Sequence, residues 1–330
     1  MTTIFGIFLL TLLVITALAI VRAKNLVVAV MLLGIFSLLL AVNFFLLDAA
    51  DVALTEAAVG AGISTVLFLG ALALTSDREN RPSSRRALSL LVVVSAAMVL
   101  VYATFDKPRF GDPEAPVLKH VGPWYLAETP EDIDIPNVVT AVLASYRGYD
   151  TMGEVFVVFT AGIGVMFLFA AGPGAPGSGR RRAVAAKKIG LQDELLLVVI
   201  GRLLVPFILL FGMYVQFHGE YGPGGAFQAG ALIAAGFILY ALIEGEQRAL
   251  ETLPRRGLNF LMVGGPVLFC TVGLAGMLLG SNFLGYSALD EDPVFGQKMG
   301  IILVEVGVGM TVCGVLLSIF HAFACRERIR

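Results

Sequence analysis

Nine long apolar runs divide the chain, at about residues 4–21, 26–47, 55–74, 88–105, 152–171, 195–216, 226–244, 259–280 and 300–323, and most charges fall in the gaps between them. Each run has the roughly 20 residues that a helix needs to cross the hydrocarbon core of a bilayer. The pattern predicts an all-α, polytopic integral membrane protein with about nine transmembrane helices. Composition points the same way. Of the 330 residues, 58% are hydrophobic and 15% are charged, whereas soluble domains run near a quarter charged. The first run has no basic residue before it, and no small-residue cleavage site stands out ahead of Arg22. It reads as a retained helix rather than a signal peptide.

Charge then orients the spans. Seventeen lysines and arginines fall in the gaps on one side, in clusters around Arg22 and Lys24, Arg78 to Arg86, Arg180 to Lys188, Arg248 to Arg256, and Arg326 to Arg330. The opposite gaps hold only five, Lys107, Arg109, Lys119, Arg147 and Lys298. The positive-inside rule therefore puts the N-terminus outside and the C-terminus in the cytoplasm, as an odd number of spans requires. The basic clusters are short and lie beside membrane helices, so nucleic acid is not an expected partner; lipid is.

The outer segments are acidic. Asp48 and Asp51 flank one turn, and Asp290, Glu291 and Asp292 form another group. The longest gap, Asp106–Asp150, holds eight acids against four bases and is spaced by prolines, which predicts a solvated loop. Trp124 and Tyr125 within it suit the membrane interface. After Pro136, the run NVVTAVLASYRGYD sets Val138, Val139, Val142, Leu143 and Tyr146 on one helical face. A short amphipathic helix at the outer surface is expected there.

Composition divides the chain into three blocks: residues 1–80, three helices; 85–175, two helices around the acidic loop; and 190–330, four helices. The breaker-rich segment AGPGAPGSGRRR, residues 171–182, reads as a linker. Glycines in the third and eighth runs suit close helix contacts, and Gly276-x-x-x-Gly280 has the spacing for one. Cys270, Cys313 and Cys325 lack CxxC or metal spacing and read as packing residues.

An ionisable residue inside a span is costly and draws attention as a functional candidate. Glu56, in DVALTEAAVGAGIS, lies about one turn inside the third run with Gly60 one turn on. It reads either as a proton or cation relay or as an interface and packing residue. Glu154 opens the fifth run in YRGYDTMGEVFVVF. There Asp150, Thr151 and Glu154 also fit a helix start, where acids suit the dipole. Arg147 is close enough in sequence to pair with Asp150 or Glu154, internally or at an ion mouth. Arg202 sits in the sixth run four residues before Pro206, as a pathway residue or one that snorkels; Glu305 sits in the ninth, with Lys298 seven residues earlier. Glu244 and His321 lie near cytoplasmic ends, as lipid-facing heads, caps or polar neighbours.

The stretch HGEYGPGGAFQAG, residues 218–230, joins the sixth and seventh runs. Gly219, Pro223, Gly224 and Gly225 permit a tight turn. Free N–H groups at the start of the seventh helix are expected to point back toward His218 and Glu220, a plausible ion-entry or gating element. Nothing here fits an enzyme site: there is no Walker lysine, Rossmann context or HExxH.

Residues 218–230, followed by a long apolar helix and preceded by Arg202 and Pro206 in an R-x-x-x-P arrangement, resemble the MnhB domain of the Mrp-type multisubunit Na+/H+ antiporters. That family carries a histidine–glycine pair and then PGGGFxGG; here Ala226 and Ala229 replace two of the glycines. DVALTEAAVGAGIS resembles the MbhD-like region, and NVVTAVLASYRGYDTMGE the MbhE-like region. The resemblance implies a fusion of MbhD-like, MbhE-like and MnhB domains, acting as one component of a hetero-oligomeric complex in a bacterial or archaeal plasma membrane. It implies transport of Na+ and H+ with no bound cofactor, no metal beyond transient Na+, and large antiporter-like subunits for partners. Glu56 and Glu154 fall on the glutamates of the two front motifs, as relay or coupling residues. Redox-driven relatives share these modules, so a coupling subunit of a hydrogenase-like complex is the alternative. No cysteine pattern for iron–sulfur clusters is present.

Overall fold

The computed structural model describes residues 2–79, 86–109, 111–170 and 195–327. The linker at 171–182 and the basic residues Arg81, Arg85, Arg180 to Lys188, Arg328 and Arg330 lie outside them. Among the described residues nine helices are long and apolar enough to span a membrane. They are α1 (Thr2–Arg22), α2 (Leu26–Leu46), α3 (Ala50–Ala73), α4 (Arg86–Thr104), α5 (Gly148–Ala170), α6 (Leu195–His218), α7 (Ala226–Glu244), α8 (Arg255–Leu278) and α9 (Pro293–Glu327). Backbone pairing between strands is limited, among these residues, to one bridge between Asn25 and Arg78. That bridge, with Leu26 N–H donating to the Asp77 carbonyl at 2.8 Å, ties the gap after α1 to the gap after α3. Both gaps therefore sit at one end of the molecule, the basic end; the opposite end is acidic.

Local chemistry sets the helix ends. The Asn25 side chain caps α2 by accepting from Val27 N at 2.8 Å. Asp292 accepts from Val294 N at 3.0 Å, with Pro293 in the first turn of α9. α8 stops where Gly280 adopts φ +89°. That conformation corrects the expectation for Gly276-x-x-x-Gly280: Gly280 is a helix terminator with open space around it, and Gly276 packs on the Asn282–Gly285 turn.

The close contacts lie elsewhere, along α9. It packs against α3, α5, α7 and α8. A methyl group at Gly230 would meet the Gly309 carbonyl at 2.7 Å, and one at Gly314 would meet Met262 N at 2.6 Å. Gly265 on α8 faces Gly307 and Thr311 just as closely. These bare positions let backbones touch, which is how helices gain contact where lipid gives no hydrophobic drive. Cys313, also on α9, is buried and Cys270 is half-buried, in keeping with packing roles; the side chain of Cys325 lies outside the described residues.

The long acidic gap is not simply a solvated loop. Helices at Pro116–Lys119 and Val121–Asp132 form in it, and Thr129, Ile133 and Ile135 are buried. Trp124, Tyr125 and Tyr146 form a ring cluster with centroids 5.1 to 5.3 Å apart. The helix expected after Pro136 does form, as Val138–Ala141 continuing into a π turn at Val142–Tyr146. Its buried face is shifted from the expected one, with Val138, Val142 and Tyr146 only half-buried. Thr140, Ala141 and Ala144 point inward, while Val139 and Leu143 are exposed. Small residues allow the backbone to sit against Tyr286, whose hydroxyl donates to the Ala144 carbonyl at 3.1 Å.

Candidate functional site

The glycine-rich loop is the point where three parts of the chain meet. After α6 ends at His218, the amides of Tyr221 and Gly222 both donate to the His218 carbonyl, at 2.9 and 3.1 Å. The chain doubles back so tightly that a methyl at Gly219 would lie 3.0 Å from Gly225 Cα. Gly225 then takes φ +128°, a conformation open to glycine, and leads into α7. Gly225 N–H bonds the Val215 carbonyl at 3.1 Å, so the loop closes on the last turn of α6.

Two partners from the front of the chain clamp this turn. Asn137 donates through Nδ2 to the carbonyls of Gly219 (2.9 Å) and Gly222 (3.0 Å), and its backbone N–H reaches the Glu220 carbonyl at 2.9 Å. Thr140 adds a bond to the Gly219 carbonyl at 2.7 Å. Asp51, at the start of α3, accepts from Gly224 N–H at 3.2 Å. Gln228 on α7 donates to Thr55 Oγ1 on α3 at 2.6 Å. The two amides just ahead of α7, those of Gly224 and Gly225, therefore serve Asp51 and Val215. A carboxylate from a distant segment thus takes the Gly224 amide.

His218 stacks on Tyr214, ring centroids 4.7 Å apart. Glu220 turns the other way, toward α9. Its Oε1 is buried with no hydrogen-bond partner. Burial pushes its carboxyl above the usual glutamate range, and the Lys298 charge pulls it partly back. Glu220, Glu305, Gln216, Phe217 and Ile302 line one cavity of about 50 Å³. The structure thus brings Glu220 and Glu305 together, although the sequence separates them by 85 positions.

The other candidates lie apart. Glu56 is half-buried and opens a π-helical stretch, Glu56–Ile63, in the middle of α3. Gly60 lies beneath it: a methyl there would sit 2.5 Å from Glu56 Oε1 and 2.7 Å from Ser37 Oγ of α2. Such wide turns inside a helix recur at functional sites. Arg147 pairs with Asp150 at 2.5 Å, both exposed, and leaves Glu154 exposed on α5. At the basic end Arg202 and Arg248 both bond Glu244, whose side chain is only 9% exposed. Glu244 is thus the buried centre of an ion cluster joining α6 to α7, not the lipid-facing head or cap expected of it. Nearby His321 is buried on α9, 4.0 Å from Glu246. Among the described residues no group of three or more His, Cys, Asp or Glu is placed to hold a metal ion.

Asp51, Asn137, Gln216, Gln228 and Ser37 are the site residues that sequence reasoning missed. The available signal was polarity at odd places: two glutamines flanking a glycine turn, and an asparagine directly after a proline.

Two family models match the chain. One, described as a domain related to the MnhB subunit of Na+/H+ antiporter, covers residues 196–318; the other, MbhD, described as the D subunit of MBH, covers 11–77. A protein of Rhizobium meliloti, named as a probable K(+)/H(+) antiporter A/B subunit, is 26% identical over 90% of this chain, which spans about a third, 32%, of that relative's length. A Staphylococcus haemolyticus protein named as a putative antiporter subunit, mnhB2, is 31% identical over 40% of this chain and 96% of its own length. Among solved structures, a chain of the Mrp complex from Dietzia sp. DQ12-45-1b superposes with TM-score 0.74 and 26% identity, over 96% of this chain and 34% of that one. A chain of the membrane-bound sulfane sulfur reductase (MBS), an archaeal respiratory membrane complex, gives TM-score 0.52 and 30% identity over 71% of this chain and 97% of that one.

Proposed function

Since the chain belongs to the MnhB-related family of antiporter subunits, we propose that it is a multi-pass membrane subunit of an Mrp-type cation/proton antiporter, with MbhD-like, MbhE-like and MnhB-like blocks in one chain. The observation that carries this reading is the extent of the likeness to one chain of an Mrp complex, which runs through all three blocks rather than one. The basic end faces the cytoplasm and the clamped glycine loop faces outward, following the positive-inside rule. The chain is a transporter subunit rather than an enzyme.

Its own surface argues for partners. None of the apolar window of α4 is buried. Glu154 is exposed on α5 between apolar neighbours such as Val157, which is 68% exposed. A carboxylate facing lipid is costly, so a neighbouring subunit covers that face and supplies a polar path. Glu56, above its π turn, and Glu154 are then relay or coupling residues at subunit boundaries. Arg202, fixed by Glu244, holds the basic end of the MnhB-like block together.

The alternative, a coupling subunit of a redox-driven ion-pumping complex, has the likeness to the sulfane sulfur reductase chain in its favour. Mass spectrometry of the gently solubilised complex separates the two. Antiporter-like membrane subunits without redox proteins are expected, and a co-purifying metal-centre protein would overturn the antiporter reading. In everted vesicles an added Na+ or K+ pulse should collapse a preformed proton gradient. Glu56→Gln and Glu154→Gln, introduced separately into the assembled complex, should each slow that collapse at least several-fold. Full exchange with an unchanged pH profile would leave these glutamates with a purely structural coupling role.

A further inference from the structure

The cavity between the glycine loop and α9 has properties that the clamp alone does not explain. Two carboxylates and one carboxamide, Glu220, Glu305 and Gln216, face about 50 Å³ of space, room for more than a single water. Gln216 is 8% exposed and turns its carboxamide to the same cavity wall as the two carboxylates. Glu220 Oε1 is buried and unpartnered. Buried polar groups are ordinarily satisfied, and a specific exception calls for a ligand, an ion or water. The nearby cation is already engaged: Lys298 bonds Asp134 at 2.6 Å. His218, stacked on Tyr214, does not line the cavity.

Two ionised carboxylates sharing a small space repel each other, and one positive occupant relieves them. The donor set is all oxygen, with no imidazole or thiolate, which suits a hard cation over a transition metal. A proton competes for the same oxygens. The backbone fixes the geometry: the Glu220 carbonyl is held by Asn137, and Glu305 rises from the central helix α9.

We propose that Glu220, Glu305 and Gln216 form a single site that an alkali cation and a proton occupy in competition. The proposal deepens the antiporter reading and rests on it for the class of ion. Such a site at the acidic end gives the MnhB-like block its own exchange step, in which a cation enters as a proton leaves.

The test uses the assembled complex and dicyclohexylcarbodiimide, which modifies protonated carboxyl groups in apolar surroundings. Labelling at Glu220 and Glu305 is read by peptide mass spectrometry across a pH series in choline, Na+ and K+ chloride. The expected result is labelling of one of the pair that an alkali cation suppresses and choline does not. Above half-saturation, the pH of half-labelling should fall by about one unit for each tenfold rise in the cation, as direct competition requires. The Na+ and K+ series identify which ion is taken. Gln216→Leu should raise the salt needed for protection about tenfold, the loss of one hydrogen-bond-strength ligand, while labelling in choline persists as evidence of an intact fold. Labelling of neither glutamate at any pH, or labelling indifferent to both salts, would overturn the site. If that happens while vesicles still exchange cations for protons, only the site fails. Cation protection in a complex that exchanges nothing would sustain the site and overturn the antiporter reading.

Discussion

A Gly265→Val chain should fail to accumulate as folded protein in the membrane. Gly265 lies where α8 crosses α9, and a side chain there would run into Thr311 Oγ1, the Gly307 carbonyl and, at 3.0 Å, Thr311 N. The reverse view is the same: a methyl at Gly307 would stand 2.8 Å from the Gly265 carbonyl. Apart from Thr311 Oγ1 these are backbone atoms of the two crossing helices, which cannot rotate aside as a flexible side chain would. Overpacking an ordinary core costs about 1–3 kcal/mol, and separating two helix backbones also strips contacts from Phe269 and Val304, both fully buried. Such a loss is a large share of the roughly 5–15 kcal/mol that holds a typical domain folded. Gly164→Val on α5, where no atom lies within 4 Å of an added methyl, is the matched control and should accumulate normally. Fluorescence-detected size exclusion of the tagged complex reads both. Equal peaks for the Gly265 variant and the parent would show that the crossing is looser than described.

The spans were legible because each is a continuous apolar run, although several helices extend beyond their runs, α9 back to Pro293 and α3 back to Ala50. α3 begins at Ala50, not near 55, because Asp51 and Thr55 direct their polarity at Gly224 and Gln228. Read along the sequence those residues look like a loop. Read in space they are the first turns of a helix whose polar side faces a partner. The same cause hid the clamp: Asn137 and its acceptor at Gly219 are 82 positions apart, and no local periodicity records their meeting. Small residues misled in both directions. Gly276 and Gly280 carried the familiar spacing, yet one packs on the following turn and the other ends the helix, whereas Gly265 and Gly307 carry no mutual spacing and make the contact. Likewise, Glu220 was visible singly as an odd charge beside an apolar run and Glu305 as one inside a run. That they face one cavity depends on the crossing of the loop over α9, which only the fold supplies.

Replacing Asn137 by aspartate should do more damage than replacing it by alanine, although aspartate is the closer match in shape. Asparagine uses both ends of its side chain. Oδ1 caps the following helix by accepting from Val139 N at 3.1 Å, and Nδ2 donates to the carbonyls of Gly219 and Gly222, with Asp51 Oδ1 at 3.4 Å. Alanine loses the cap and leaves the Gly222 carbonyl short of a donor, while Gly219 keeps its bond from Thr140. The combined cost is about 2–4 kcal/mol, from a lost cap near 1 and an unpaired carbonyl at 1–3. Asn137→Asp keeps the cap but turns the donor into a second acceptor, bearing charge, against two carbonyl oxygens and the Asp51 carboxylate. Two carboxylates at that distance cannot both ionise cheaply. The native state therefore disfavours ionisation of the introduced acid, whose pKa lies above its unfolded value. At pH below the ordinary carboxylate range the introduced acid is protonated in both states, and it can donate to one carbonyl. As pH rises through the raised native value that advantage is lost and the charge penalty grows. The aspartate variant should accordingly melt below the alanine variant at neutral pH and recover toward it in acid, while the alanine variant shows no such recovery. Thermal stability of the purified complex, followed by size exclusion across pH, measures both. An aspartate variant as stable as the parent at neutral pH would mean that the amide does not hold the glycine loop to the front of the chain.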